Sequence, residues 1–193
     1  MNDISQYQIL RDRFTTGGVI EYRGTDIIAM GIRARTGYGV NHSELAIVMQ
    51  SPYTGVRRNY THGALAHGTI PEYLSNTLAK YNGVAYWYPL KEEYRDFISD
   101  IEERAFEYLG IGYDYFGIVK NLLGRTAVEK ALQFCSEYCQ ICCWNCNEAI
   151  KNNGIALVPG ELVAKGGLWE TPGYQLMEPS PDMPVDPPHG VGV

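Results

Sequence analysis

The sequence predicts an α+β domain in which a mostly antiparallel sheet is flanked by helices. The 193 residues correspond to one domain at ~150 residues per domain. Short apolar segments separated by turns dominate the first third of the chain, and segments with helical periodicity follow them. The resulting order of strands, helix, strand, helix and helix is typical of an α+β domain.

Most of the predicted sheet lies in the first third of the chain. Four apolar segments there have the composition of strands: 17–23, 25–34, 42–50 and 56–65. The period then changes over 69–81, where apolar residues spaced for one helix face predict a helix with Pro71 near its start. Residues 83–90 return to a β-rich composition and predict a further strand.

Two longer helices are predicted after the last strand. Over 91–107, charged residues surround an apolar helical stripe, so we interpret the charges as a solvated face. Gly110 and Gly112 end that helix, and a loop rich in glycine and tyrosine follows. The second helix is predicted to begin near Cys135 and to continue without a break until just before Gly154.

The chain divides into three parts. Residues 1–16 are a polar N-terminal arm, 17–177 are the folded domain, and 178–193 are a flexible tail that holds five of the ten prolines. The sequence leaves the oligomeric state open.

Charge and hydropathy argue against several classes of partner. With 16 basic and 22 acidic residues the net charge is -6, so we expect no nucleic-acid partner and no polybasic membrane anchor. Nowhere do ~18 apolar residues run together, so we expect no stable membrane insertion. The N-terminus lacks the basic start and apolar core of a signal peptide, which predicts a cytoplasmic protein or one carried in a particle.

All five cysteines lie between positions 135 and 146. On a helix at ~100° per residue their side chains share one sector, and Gln140 and Trp144 fall on the opposite, solvated side. We predict no disulfide framework and expect the last four to pack as small apolar side chains: Cys139, Cys142, Cys143 and Cys146. Their two C-x-x-C spacings leave a zinc or iron-sulfur site as an alternative, which one straight helix disfavours.

Cys135 differs from the other cysteines because it stands at the predicted helix start. Unpaired N–H groups and the helix dipole favour an anion there, and therefore the thiolate form. The same N–H groups could hold a developing oxyanion. A cysteine in this position is a candidate nucleophile, although position alone does not exclude a structural role.

A thiol nucleophile needs a base, and His42 is the best placed of the four histidines. It opens an apolar strand directly after a glycine-rich turn, whereas His189 lies in the tail and His67 in a turn. By strand alternation His42 shares a face with Glu44 and Ala46. If that face packs against the cysteine helix, His42 lies at the rim where the helix begins.

Four segments, taken in order, resemble the permuted papain-like hydrolases of the NlpC superfamily, a group called YiiX-like: GTDIIAMGI at 24–32, HSELAIVM at 42–49, GIGYDYFGI at 110–118 and FCSEYC at 134–139. The resemblance extends from about 17 to about 175. It implies a circularly permuted papain-like fold of the NlpC type, in which the histidine precedes the cysteine.

The resemblance also implies roles for individual residues. Cys135 becomes the nucleophile and His42 the general base and then acid, whereas Asp26 is expected to bond a turn. Tyr113, in the Y-D pair with Asp114, is a candidate substrate or oxyanion contact.

The residue that orients His42 stays open between His62, Gln50 and Glu44. The chain departs from the family pattern in having Glu44 where a small residue is usual. It also has His62 and Gly63 where a further polar residue is expected.

These observations predict a cysteine-dependent amidase or peptidase that works through an acyl-thioester, with no cofactor and no metal. Its expected substrate is a peptide or amide, including cell-wall peptides and isopeptides. Three alternatives stay open: an inert binding module on the same fold, a lipid acyl hydrolase or acyltransferase, and a metal-binding cysteine protein.

Overall fold

A computed structural model describes residues 2–65, 68–111 and 134–178. Its centre is a six-stranded antiparallel sheet with the strand order β4-β3-β2-β1-β5-β6. The strands are β1 (Val19–Gly24), β2 (His42–Gln50), β3 (Arg57–Leu65), β4 (Gly68–Tyr73), β5 (Gly83–Tyr88) and β6 (Tyr174–Gln175). This arrangement confirms the α+β class and the antiparallel sheet.

Helices flank both faces of the sheet. In the described ranges they are α1 (Ser5–Leu10), α2 (Ile27–Thr36), α3 (Leu74–Lys80), α4 (Ile98–Glu107), α5 (Cys135–Cys142), α6 (Glu148–Lys151) and α7 (Glu161–Gly166). Within those ranges, none of the helices has the length and apolar character needed to cross a bilayer.

Two apolar layers fill the space between the sheet and its helices. On one face Leu45 and Ile47 of β2 pack with the cysteines of α5. On the other face Ala46 packs with α3 and with N-terminal residues that the sequence analysis assigned to a polar arm. In that arm Phe14 is fully buried and stacks on Trp87 with ring centroids 4.1 Å apart.

The position of α5 corrects one prediction. The face of β2 that contacts α5 is the one that carries Leu45 and Ile47. It is not the face that carries Ala46. His42 and Glu44 share the face of Ala46, because side chains alternate along a strand. His42 is nevertheless the first residue of β2, and its ring lies near Cys135 at the start of α5.

The predicted strand at 25–34 is wrong, because these residues belong to α2. The Asp26 carboxylate caps the helix by accepting the Ala29 N–H at 2.8 Å, and Gly37 ends it at φ 76°. These end signals outweigh the apolar run that resembled a strand. Asp26 has the turn-bonding contact that the resemblance implied.

The predicted helix over 69–81 is only half right. Its first part is the edge strand β4, which contains Pro71, and α3 begins at Leu74. An edge strand tolerates proline because the missing N–H is not needed on its outer side. The charged segment after β5 follows its prediction more closely, with a 3₁₀ turn at Glu92–Phe97 leading into α4.

The cysteine segment is not one continuous helix. It breaks after α5, and Asn147 caps the short α6 by accepting the Ile150 N–H at 2.8 Å. All five cysteines are nevertheless buried and unbridged, and the burial of Cys139, Cys142, Cys143 and Cys146 agrees with the packing prediction made for these four.

Gln140 was predicted on a solvated face but is fully buried. Its side-chain amide donates to the carbonyl oxygens of Ile150 and Ile155 at 2.8 and 3.0 Å. Its oxygen accepts the Leu157 N–H at 2.8 Å. Gln140 therefore holds α5 against the following segment, residues 150–157.

We expect Gln140→Ala to lower the free energy of unfolding by about 3 kcal/mol, because each buried group left without its partner costs about 1–3 kcal/mol. Urea denaturation measures the loss. Gln50→Ala is the matched control, since the Gln50 bond to the Gly55 carbonyl is exposed. Equal midpoints for the two variants would contradict this account of Gln140.

Candidate active site

Cys135 is the first residue of α5, and its neighbours hold the first turn in place. The Phe134 N–H donates to Glu137 Oε2 at 3.4 Å, and the Ser136 hydroxyl donates to the Leu157 carbonyl at 2.7 Å. Because the first intrahelical bond shown here is made by the Tyr138 N–H, the N–H groups of Cys135 and Ser136 precede the helical ladder. Cys135 itself is only 2% exposed.

His42 brings an imidazole to this helix end. The Cys135 thiol lies close enough to the ring to raise the pKa of His42. The ring Nε2 contacts Glu44 Oε1 at 3.1 Å. The side chain of His42 is 19% exposed, so the imidazole is the part of this group that solvent reaches.

Glu44 is a buried carboxylate held by groups from three strands. Its Oε2 accepts the Tyr22 hydroxyl at 2.7 Å and also the Thr61 hydroxyl. Gly63 lies beside it, and a Cβ at that position would stand 2.7 Å from Glu44 Cγ. Glycine therefore leaves the space that Glu44 occupies.

These contacts shift the pKa values of both partners. Burial alone would lower the pKa of His42, but the charge and hydrogen bond of Cys135, together with Glu44, raise it well above its ordinary value. Burial alone would raise the pKa of Glu44, but the hydrogen bond and charge of His42, with the bonds from Thr61 and Tyr22, hold it below the ordinary value. The site therefore favours a charged imidazolium beside a charged carboxylate.

The structure separates the three residues considered for orienting His42. Glu44 lies against the ring, whereas Gln50 is at the far end of β2 and bonds the Gly55 carbonyl at 3.0 Å. His62 bonds the Tyr138 hydroxyl through Nδ1 at 2.8 Å, and burial lowers its pKa to about 4. The spacing of two residues along β2 was the available signal for Glu44, because it places both side chains on one face.

Other residues of the sequence analysis fall outside the described ranges. These are Tyr113, Asp114, His67 and His189. Conversely, the contacts of Tyr22, Thr61 and Gly63 with Glu44 were not predicted, because they arise only through the pairing of β1 and β3 with β2.

Glu21 is a second buried carboxyl close to the site. Ser43 donates its hydroxyl to Oε2 at 2.9 Å, and the Gly160 N–H donates to Oε1 at 3.3 Å. Burial raises the pKa of Glu21 to about 8, although both hydrogen bonds and the charge of His42 oppose the rise. Glu21 is therefore uncharged over much of the neutral range.

The chain shows no match to any family model and none to any curated protein. Among solved structures it is similar to the crystal structure of the metalloprotein yiiX from Escherichia coli O157:H7, with a TM-score of 0.51 and 18% sequence identity. The similar region covers 68% of this chain and 66% of that one, so this chain spans just under two thirds of yiiX. The two chains thus have a similar fold.

The pKa of His42 is expected to depend on both of its partners. In the unsubstituted protein it lies well above the ordinary value, and Cys135→Ala or Glu44→Gln lowers it, because each variant removes a group that favours the charged ring. NMR titration of the imidazole signals measures the change. His62 serves as the internal control for Cys135→Ala and keeps its low pKa there, whereas loss of the Glu44 charge lowers the pKa of His62 further. An unchanged His42 titration in both variants contradicts the assigned contacts.

Glu21 is expected to make the protein less stable as the pH rises. Its carboxyl keeps its proton in the folded protein up to about pH 8 but loses it near pH 4.5 when unfolded, so stability falls between these values. Glu21→Gln removes this dependence, and the variant gains stability relative to the parent protein until about pH 8. Urea midpoints across this range measure the difference, and a constant difference contradicts the raised pKa.

Proposed function

We propose that this protein is a cysteine-dependent amide hydrolase with Cys135 as nucleophile, His42 as general base and acid, and Glu44 as the residue that orients His42. The observation that carries the proposal is that one imidazole contacts a buried carboxylate and lies close to a thiol at the start of a helix. Such a chain of nucleophile, base and orienting group defines a catalytic triad by geometry and not by sequence position.

The reaction follows from this geometry. The Cys135 thiolate attacks the carbonyl carbon of the amide, and the oxygen becomes an oxyanion beside the N–H groups at the start of α5. As the C–N bond breaks, the His42 imidazolium gives its proton to the leaving amine. His42 then takes a proton from water, the hydroxide attacks the thioester, and the carboxylic acid leaves as the thiolate re-forms.

The role of Glu44 follows from its two oxygens. Oε1 holds the His42 ring and stabilises its charged form, while Oε2 is fixed by Tyr22 and Thr61. The inert binding module was considered because an orienting acid could not be assigned from the sequence. The position of Glu44 supplies that acid and so favours the hydrolase.

We assign the chain to the permuted papain-like group on two grounds. The histidine precedes the cysteine along the chain, and the fold is similar to that of yiiX. By this assignment the substrate is a peptide or amide, with cell-wall peptides and isopeptides as the first compounds to examine.

The residues at the site do not fit a resident metal ion of the kind that the description of yiiX as a metalloprotein suggests. Within 2–65, 68–111 and 134–178, no three His, Cys, Asp or Glu side chains come together as a metal-binding group. The hydrogen bond between His42 Nε2 and Glu44 also engages two groups that could otherwise serve as ligands. The proposed mechanism therefore uses side chains and backbone N–H groups of this chain, with water as the second reactant.

The proposal is tested with p-nitrophenyl esters and then with a library of acylated aminocoumarin amides. We expect an acyl adduct on Cys135 by mass spectrometry and none in Cys135→Ala. His42→Ala is expected to reduce turnover by about 10²–10⁴-fold, the usual contribution of a general base. Glu44→Gln is expected to reduce kcat more than it changes KM, because the ring loses its orientation and charge support.

Matched controls separate chemistry from folding. Cys146→Ala removes a thiol from the same segment, and Glu148→Gln removes an exposed carboxylate, and both are expected to retain full turnover. Full turnover in folded Cys135→Ala, or acylation at another cysteine, would refute the proposal.

A further inference from the structure

The turn between α5 and α6 carries a pair of cysteines that the proposed reaction does not use. Cys143 and Cys146 form the second of the two C-x-x-C spacings, and both thiols are free. The Cys146 N–H donates to the Cys143 carbonyl at 3.0 Å, which closes a turn over residues 143–146. Such a turn holds its first and last Cα atoms within about 7 Å, and disulfides join Cα atoms at about 4.4–6.8 Å. The backbone therefore brings the two cysteines to a separation that a disulfide can span.

Hydrogen bonds on both sides hold this turn in place. On the α5 side, the Cys143 N–H donates to the Cys139 carbonyl at 3.1 Å. On the α6 side, the Asn147 side-chain amide donates to the Gly166 carbonyl at 3.1 Å and to the Tyr94 hydroxyl at 3.2 Å. The fold itself therefore keeps the two cysteines near each other.

The other three cysteines are less suited to pairing with one another. Cys135, Cys139 and Cys142 all lie on the helix α5. Residues three or four apart on a helix have Cβ atoms about 5–6 Å apart, whereas a disulfide requires about 3.5–4.5 Å. A bridge between two of these residues would therefore distort α5, and the turn beyond its end is the better place for a disulfide.

Cys146 is the member of the pair that an oxidant reaches first. It is 8% exposed and follows the exposed Asn145, whereas Cys143 is completely buried. Interaction with the Cys143 thiol lowers the pKa of Cys146, and Arg104 lowers it too, although burial and Asp100 act in the opposite direction. The same interaction, together with burial, raises the pKa of Cys143 well above its ordinary value. Cys146 is thus suited to react as a thiolate, and Cys143 to resolve the product.

We propose that Cys143 and Cys146 form a reversible disulfide when the protein meets a hydroperoxide, which makes this turn a redox site. The Cys146 thiolate attacks one oxygen of the hydroperoxide, the O–O bond breaks, and the sulfur becomes a sulfenic acid. The leaving oxygen takes up the proton that the Cys146 thiol released. The Cys143 sulfur then attacks the sulfenic sulfur, the S–S bond forms, and the S–O bond breaks as hydroxide leaves with the Cys143 proton as water. The two thiols lose two electrons, and hydrogen peroxide is reduced to two waters.

This redox site is separate from the proposed hydrolase. Cys135 begins α5, whereas the pair follows the end of the same helix. A disulfide that forms and opens again is also compatible with the free thiols of the structure, since transient disulfides differ from a permanent framework. The inference therefore does not rest on the proposed function.

The test treats the reduced protein with hydrogen peroxide and then blocks free thiols with iodoacetamide in urea. Dithiothreitol next opens the disulfides, N-ethylmaleimide labels the released thiols, and tandem mass spectrometry of the tryptic peptide 131–151 assigns each label. We expect equal N-ethylmaleimide labelling of Cys143 and Cys146, and carbamidomethyl groups on Cys139 and Cys142. Protein that is reduced again before blocking is expected to lose the N-ethylmaleimide labels.

The same measurement in Cys135→Ala separates the two proposals, because a reactive Cys135 would also consume peroxide. This variant is expected to lose turnover and to form the disulfide like the parent. Disulfide formation without turnover in the parent would refute the hydrolase and leave the redox site intact. Turnover in the parent without the disulfide would do the reverse.

Single variants distinguish the roles of the two thiols. In Cys143→Ala the oxidation of Cys146 is expected to stop at the sulfenic acid, which dimedone traps as an adduct. In Cys146→Ala the buried Cys143 is expected to carry neither dimedone nor N-ethylmaleimide. Cys142→Ala is the matched control, because it removes a neighbouring buried thiol, and it is expected to form the disulfide like the parent. Urea denaturation shows which variants are folded.

Three results would overturn the redox proposal. The first is N-ethylmaleimide on a different pair of cysteines. The second is carbamidomethylation of both Cys143 and Cys146 in the parent after exposure to peroxide that oxidises free cysteine. The third is undiminished N-ethylmaleimide labelling of Cys143 in folded Cys146→Ala, because Cys143 would then have another partner.

Discussion

The buried carboxylate of Glu44 is the group on which the arrangement of the site depends. A carboxylate without partners would be costly at this depth, so it persists only because each oxygen is engaged. Oε1 holds His42, while Oε2 is fixed by Tyr22 and Thr61 from the neighbouring strands. The register of the central sheet thereby fixes the orientation of the imidazole, which lies close to the thiol at the start of α5.

The central strands could be anticipated because alternation and turn residues report local structure directly. The segments that became β1, β2, β3 and β5 were each recognisable in this way. The segment 25–34 was not, because an apolar run suits either a strand or a short helix, and the contacts of Asp26 and Gly37 decided the outcome. The break after α5 was equally hidden, since Asn147 becomes a helix cap only when the chain turns there.

The residues of the candidate site likewise differ in how well they could be predicted from the sequence. Cys135 and His42 stood out because residue type and position along the chain mark a candidate nucleophile and base. Glu44 was one of three open choices, and its spacing of two residues from His42 on β2 was the signal that favoured it. Gly63 is the clearest case, because its lack of a side chain matters only once β3 lies beside Glu44. Long-range pairing decides such roles, and a single sequence contains no local signal for it.

One feature of β2 affects how the proposed chemistry would respond to motion. The proposed base, His42, and its proposed orienting acid, Glu44, are separated by only one residue on the same strand, so they move together when the sheet shifts. The sulfur belongs to a different element, so a sliding movement of α5 over Leu45 and Ile47 alters the distance between sulfur and imidazole. The rate of the proposed reaction would then depend on how tightly α5 packs against the sheet. A methyl group added or removed among the cysteines would change this rate before it unfolds the protein.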